Sequence, residues 1–116
     1  MSNPIDLSEL LPSANGRVRR RLGLFAHLTL GVTECLANGT LGSAEATRLF
    51  FNAPNCLYVR KKLRDKIADQ IMSHGVQLQD LFEALPEQEA QKEFQRELET
   101  LRSLCLRILD QHQLVA

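Results

Sequence analysis

PEQEAQKEFQRELETLRSLCLRILDQHQ, residues 86–113, is the stretch whose reading decides the fold. Its apolar residues Phe94, Leu98, Leu101, Cys105 and Ile108 are spaced four, three, four and three apart. That spacing is a heptad seam. It predicts one long helix lying along another, either in its own bundle or in a partner. Pro86 suits the first turn, and Glu87, Glu89 and Glu93 sit near the positive end of the helix. At about 1.5 Å per residue the helix is on the order of 40 Å long, which predicts that part of it projects or pairs with a second copy.

Working outward, residues 17–37 form the second long segment. Val18, Leu22, Phe25, Thr29, Val32 and Leu36 make its stripe, widened by Leu24, Leu28 and Cys35. Asn38-Gly39 is a good stop, because either residue accepts the left-handed conformation just past a helix. Gly23 and Gly31 each cost about 1 kcal/mol relative to Ala inside a helix, so close packing on a neighbour is expected there. Residues 4–11 read as a short helix capped by Asn3, and residues 12–16 as a turn. Ser43 opens another short helix to Phe51, broken by Asn52-Ala53-Pro54. Asn55 then caps a helix ending at His74, with Gly75 behind it and Val59, Leu63, Ile67 and Ile71 as its stripe. Residues 77–85 are a short amphipathic piece with Leu78, Leu81, Phe82 and Leu85 inward. The prediction is an all-α bundle of about five helices in a single domain, residues 1–116, with 1–16 as a short helix and linker and the two long helices packed together.

The chain of 116 residues is 44% hydrophobic and 24% charged, normal for one globular domain. Sparse β-branched residues argue against a sheet. Net charge is zero, which gives no overall push toward nucleic acid or membrane. The distribution is uneven: residues 1–75 carry ten Lys/Arg and six Asp/Glu, residues 76–116 four and eight. Cys35, Cys56 and Cys105 are odd in number and far apart, without zinc spacing. The opening MSNPIDLSELL lacks a basic start and an apolar core, and no stretch is apolar enough to span a bilayer. The expectation is a reduced, cytoplasmic protein without metal or cofactor.

Two basic clusters stand out. Arg17, Arg19, Arg20 and Arg21 oppose the dipole at a helix start, so something other than helix stability placed them. They suit an acidic partner or a phosphate, while a solvated face, or pairs with Glu87 to Glu99 within the chain, is the commoner reading. Arg60, Lys61, Lys62 and Arg64 follow Tyr58, a weak nucleic-acid pattern that a solvated helix face also explains. Glu93, Glu97 and Glu99 form a candidate acidic contact face. Cys56 near a helix start and basic residues has the setting of a lowered thiol pKa, although a small inert Cys is the commoner reading. A small-ligand site between helices near Phe50, Phe51 and Phe82 is a further possibility. Among the histidines, His27 reads as a core or boundary residue and His74 as a cation at a helix end. There is no Gly-rich phosphate loop, Gly-x-Ser-x-Gly or His-Glu-x-x-His.

In Arg107-Ile108-Leu109-Asp110-Gln111-His112, four residues separate an Arg from a His near the end of an all-helical chain. This segment resembles the catalytic motif of the HEPN family of small helical ribonucleases. The resemblance covers six residues. It implies a dimer bringing two motifs together, with Arg107 steadying phosphate charge, His112 moving a proton and the second basic cluster holding the RNA backbone.

The reading taken from the residues is a non-enzymatic interaction, adaptor or assembly protein. It would contact a protein partner through the arginines at 17, 19, 20 and 21 and the acids at 93, 97 and 99, and form a homodimer through its terminal helix. An RNA-binding or RNA-cleaving dimer using Arg107 and His112 is the alternative.

Overall fold

A computed structural model describes residues 3–11 and 17–112, with the side chain of His112 outside that description. The predicted linker at 12–16 also lies outside the described residues. The fold is all-α. Its helices are α1 (Leu7–Leu10), α2 (Val18–Ala37), α3 (Ser43–Leu49), α4 (Ala53–Tyr58), α5 (Lys66–Val76), α6 (Leu78–Ala84) and α7 (Glu87–His112). A π turn, Val59–Leu63, continues α4.

The heptad seam resolves in favour of the chain's own bundle. Phe94, Leu98, Leu101, Cys105 and Ile108 are all buried, with Ala90 and Leu104 beside them. Their partners are α2 and α5, and α6 toward the start of α7. The seam is therefore closed within one chain. With 26 residues, α7 is roughly 39 Å long.

Phe82 meets Phe94 edge-on, with centroids 5.3 Å apart, and His74 Nδ1 lies 2.6 Å from Glu97 Oε2. The end of α5 and the middle of α6 thus both meet α7 between residues 94 and 97. The π turn packs on α4, α5 and α2. Thr29 of α2 is in hydrogen-bond contact with Cys105 in the C-terminal half of α7.

Four local expectations are corrected. The predicted helix over 4–11 starts only after Asp6, which caps Ser8; Ile5 is held outside it by an N–H bond to the Leu49 carbonyl at 2.8 Å. The predicted helix from Asn55 to His74 is two helices. Its first half is capped by Asn52, whose Oδ1 accepts from Asn55 N, with Pro54 in the first turn where it is tolerated. The π turn and Arg64, at φ 50 and ψ 47, break the helix, and Asp65 caps α5 through Ala68 N at 3.0 Å. The stripe Val59, Leu63, Ile67 and Ile71 stays buried across this break. Gly31 is exposed with nothing near a built Cβ, so it permits no close packing. Leu24, Val18 and Phe82 are exposed rather than inward, although Phe82 keeps its contact with Phe94.

Asn55 is not a cap but a buried tie. Its Oδ1 accepts from Leu7 N at 3.1 Å, and its Nδ2 donates to the carbonyls of Ile5 and Phe50, both at 2.9 Å. These bonds hold the N-terminal segment on the α3–α4 corner. Gly75 is not behind α5 but inside it, buried against the ring of Phe51.

Burial pushes the Cys105 thiol up from the ordinary 9.0 to about 12, with Thr29 acting weakly in the other direction. The unfolded thiol ionises near 9.0 while the folded one keeps its proton to about 12. Between those values the folded state binds more protons, so stability falls as pH rises; below pH 9 the contribution is constant. Urea titrations are expected to show the stability advantage of wild type over Cys105→Ala narrowing above pH 9.

Candidate interaction site

The fold joins the two basic clusters. Arg17 is the residue before α2, and Arg19, Arg20 and Arg21 occupy its first turn. Arg60, Lys61 and Lys62 lie in the π turn, with Arg64 directly after it. The start of α2 lies against this region, and Arg21 Nη1 donates to Tyr58 Oη at 3.5 Å. Residues 17–21 and 60–66 together hold nine Lys/Arg and one acid, Asp65. All but Arg21 of these cations are exposed. Val18, 42% exposed, lies among the arginines of α2, and Leu57, 48% exposed, lies next to Tyr58 in sequence. The result is a basic end with apolar side chains in it.

The backbone beneath this surface is irregular. A π turn is an uncommon element, frequent at functional sites. Arg64 takes the left-handed conformation just past a helix, where Gly is preferred, and an L-residue there costs roughly 1–2 kcal/mol. Its Nε donates to the Lys61 carbonyl at 3.2 Å, which fixes the side chain locally. Arg64→Gly relieves that strain and adds unfolded-state entropy, so a net stabilisation of up to about 1 kcal/mol is expected in urea unfolding.

The predicted acidic face is divided. Glu97 is held by His74 of α5. Glu93 pairs with Arg96 at 3.0 Å on the same helix. Glu99 is exposed, about 200° around the helix from Glu97. A broader acidic surface lies at the α6–α7 corner, where Asp80, Glu83, Glu87 and Glu89 are all exposed. Sequence reading missed this surface because its residues straddle two helices.

Cys56 shares a cavity of about 300 Å³ with Arg60, Asp69, Met72, Ser73 and Val76. Burial pushes its thiol up; Arg60 opposes this and Asp69 adds to it. The setting is that of a protonated thiol, not an activated one. Phe50 and Phe51 are wholly buried and packed on each other, with Phe50 on Phe25, whereas Phe82 is exposed. An apolar groove of about 500 Å³ lies instead along α2, past Leu28, Gly31 and Cys35.

Arg107 is exposed on α7, and His112 is the last residue of that helix. Five helical residues turn the backbone by about 140°, so the two positions do not share a helix face. His27 is exposed, its Nδ1 2.9 Å from the Gly23 carbonyl. Among the described residues, no group of His, Cys, Asp and Glu is placed to hold a metal ion, and no helix is long and apolar enough to cross a membrane. No protein-family model, curated protein or solved structure matches this chain.

Proposed function

We propose that this chain is a non-enzymatic helical interaction protein of the adaptor or assembly type, docking an acidic protein surface on its basic end. The observation that carries this reading is the union of two clusters, forty residues apart in sequence, through Arg21 and Tyr58. Arg and Tyr are enriched in protein interfaces. The exposed Val18 and Leu57 favour a protein partner over a bare phosphate chain, since phosphates offer no apolar complement. The irregular backbone at Arg64 supports the same region.

A second reading, RNA binding or cleavage with Arg107 and His112, draws support from the same positive surface and from the exposure of Arg107. Fluorescence anisotropy separates the two. The probes are a labelled amphipathic Glu/Leu peptide and a labelled single-stranded RNA of mixed sequence. The expected result is peptide binding weakened at least about tenfold by Arg20→Glu with Lys61→Glu, a loss of about 1.4 kcal/mol. Tighter RNA binding, with cleavage abolished by His112→Ala, replaces this reading with the second.

A further inference from the structure

α2 carries a second line of residues at heptad spacing. Leu24, Leu28, Gly31 and Cys35 follow one another by four, three and four, as in the α7 seam. At about 100° per residue this line lies roughly 110° around the helix from the buried stripe of Leu22, Phe25, Thr29, Val32 and Leu36. Leu24, 41% exposed, protrudes from it. Leu28, Gly31 and Cys35 line the apolar groove of about 500 Å³, shared with Ile5, Leu41 and Leu49 from outside the helix. Gly31 weakens the helix relative to Ala, and beyond the helix backbone itself no atom of the chain lies within 4 Å of a Cβ placed there. It leaves a notch about 10 Å along the helix from Leu24. The charges of α2 run against its dipole. Arg17 precedes the helix, and Arg19, Arg20 and Arg21 crowd its positive end, where the first turn holds no acid. Glu34 lies near the negative end, where the last turn holds no cation.

We infer that this outer face of α2 pairs with the same face of a second copy, antiparallel about a two-fold axis between His27 and Leu28. The exposed Leu24 of each copy then enters the groove of the other at the Gly31 notch. Arg20 and Glu34 lie on one flank of the line, so the two-fold sets Arg20 of one copy beside Glu34 of the other. Arg17 comes beside Asn38, at the negative end of the second α2. Charges that oppose their own helix thus each gain a favourable place on the other. A parallel pairing instead sets arginine on arginine and Gly31 on Gly31. Shape and charge together therefore select a second copy, in this direction, as the occupant of the groove. The contact is isologous and closes at a dimer. It lies on the outer face of α2 and not on the joined basic clusters as a unit, so it goes beyond the acidic-partner reading and does not depend on it.

Sedimentation velocity over a concentration series up to about 1 mM tests this. The average mass of the wild type is expected to rise toward that of a dimer. Leu24→Glu and Gly31→Leu are each expected to raise the dimer Kd at least about tenfold. Both positions are exposed, and circular dichroism checks that the variants remain helical. At dilutions where the wild type is monomeric, Gly31→Leu is expected to melt no lower than wild type, since it exchanges a poor helix former for a good one in open space. Charge reversal reads the register. Arg20→Glu and Glu34→Arg each weaken the dimer about threefold or more, because two exposed pairs reverse at once. The double variant swaps both pairs and returns to within about twofold of wild type. Mild oxidation reads the direction. The two Cys35 thiols stand about 22 Å apart along the axis when antiparallel and face each other when parallel, so no Cys35–Cys35 disulfide is expected. A wild type still monomeric at about 1 mM overturns the inference. So does a dimer that Leu24→Glu or Gly31→Leu leaves intact, a Cys35–Cys35 disulfide, or a double reversal as weak as the singles. Binding of the Glu/Leu peptide by a monomeric wild type leaves the acidic-partner reading standing and removes only the α2 pairing.

Discussion

Gly75→Ala is expected to lower stability by about 3 kcal/mol, at the upper end of the range for overpacking, and to drop the melting temperature by about 12 °C. A Cβ at this position falls within the van der Waals envelope of Phe51 Cδ1, Cε1 and Cγ. The ring has little room to retreat: Phe51 is buried and meets Phe50 edge-on at 5.1 Å, and Phe50 stacks on Phe25 at 6.1 Å. Interiors this close-packed transmit a shift to their neighbours. Ala is otherwise the better helix former by about 1 kcal/mol, so the sign of the result separates the two accounts. Stabilisation by the substitution would mean that Gly75 is a mere helix interruption. Phe51→Leu in the Gly75→Ala background is expected to recover part of the loss, a non-additivity that marks direct contact. Thermal unfolding followed by circular dichroism reads both.

Asn55→Ala is expected to cost about 3–4 kcal/mol in urea unfolding. Three backbone groups, the Leu7 N–H and the carbonyls of Ile5 and Phe50, lose a partner together. The site is 2% exposed, so water does not replace the lost amide without opening the structure. Asn55→Asp is expected to be no better. A carboxylate accepts from Leu7 but donates to neither carbonyl, and it buries a charge. Hydrogen exchange adds a local readout: the Leu7 amide loses protection in either variant before the amides of α7 do. Unchanged Leu7 protection in Asn55→Ala would show that the N-terminal segment is held by its apolar contacts alone.

The long elements were legible because a period sustained over many residues leaves little choice of fold. Phe94 to Ile108 and Leu22 to Leu36 each present one face often enough to require a helix, and both faces are buried. Single-residue events were not legible. Arg64 in the left-handed region carries no Gly or Asn to announce it, so α4 and α5 read as one helix. Asn52 and Asn55 both suit a cap, and the choice between them depends on Ile5 and Leu7, which are nearly fifty residues away. Gly75 has the composition of a stop signal but the job of a contact. The two basic clusters were visible, yet their union was not. Local sequence carries the charge of each, and only the packing of α2 on the π turn brings them together.

The pairing of α2 with α7 has a consequence for how the chain is made. Synthesis runs from the N-terminus at about 5–20 residues per second, so α2 is complete several seconds before α7. Throughout that interval the side of α2 that packs on α7 lacks its partner, although Phe25 can already meet Phe50. The nascent chain therefore leaves the ribosome with an apolar α2 bare, a client for chaperones and a seed for aggregation. A message truncated before the codon for Phe94 yields a product that lacks Phe94, Leu98, Leu101, Cys105 and Ile108 from its core.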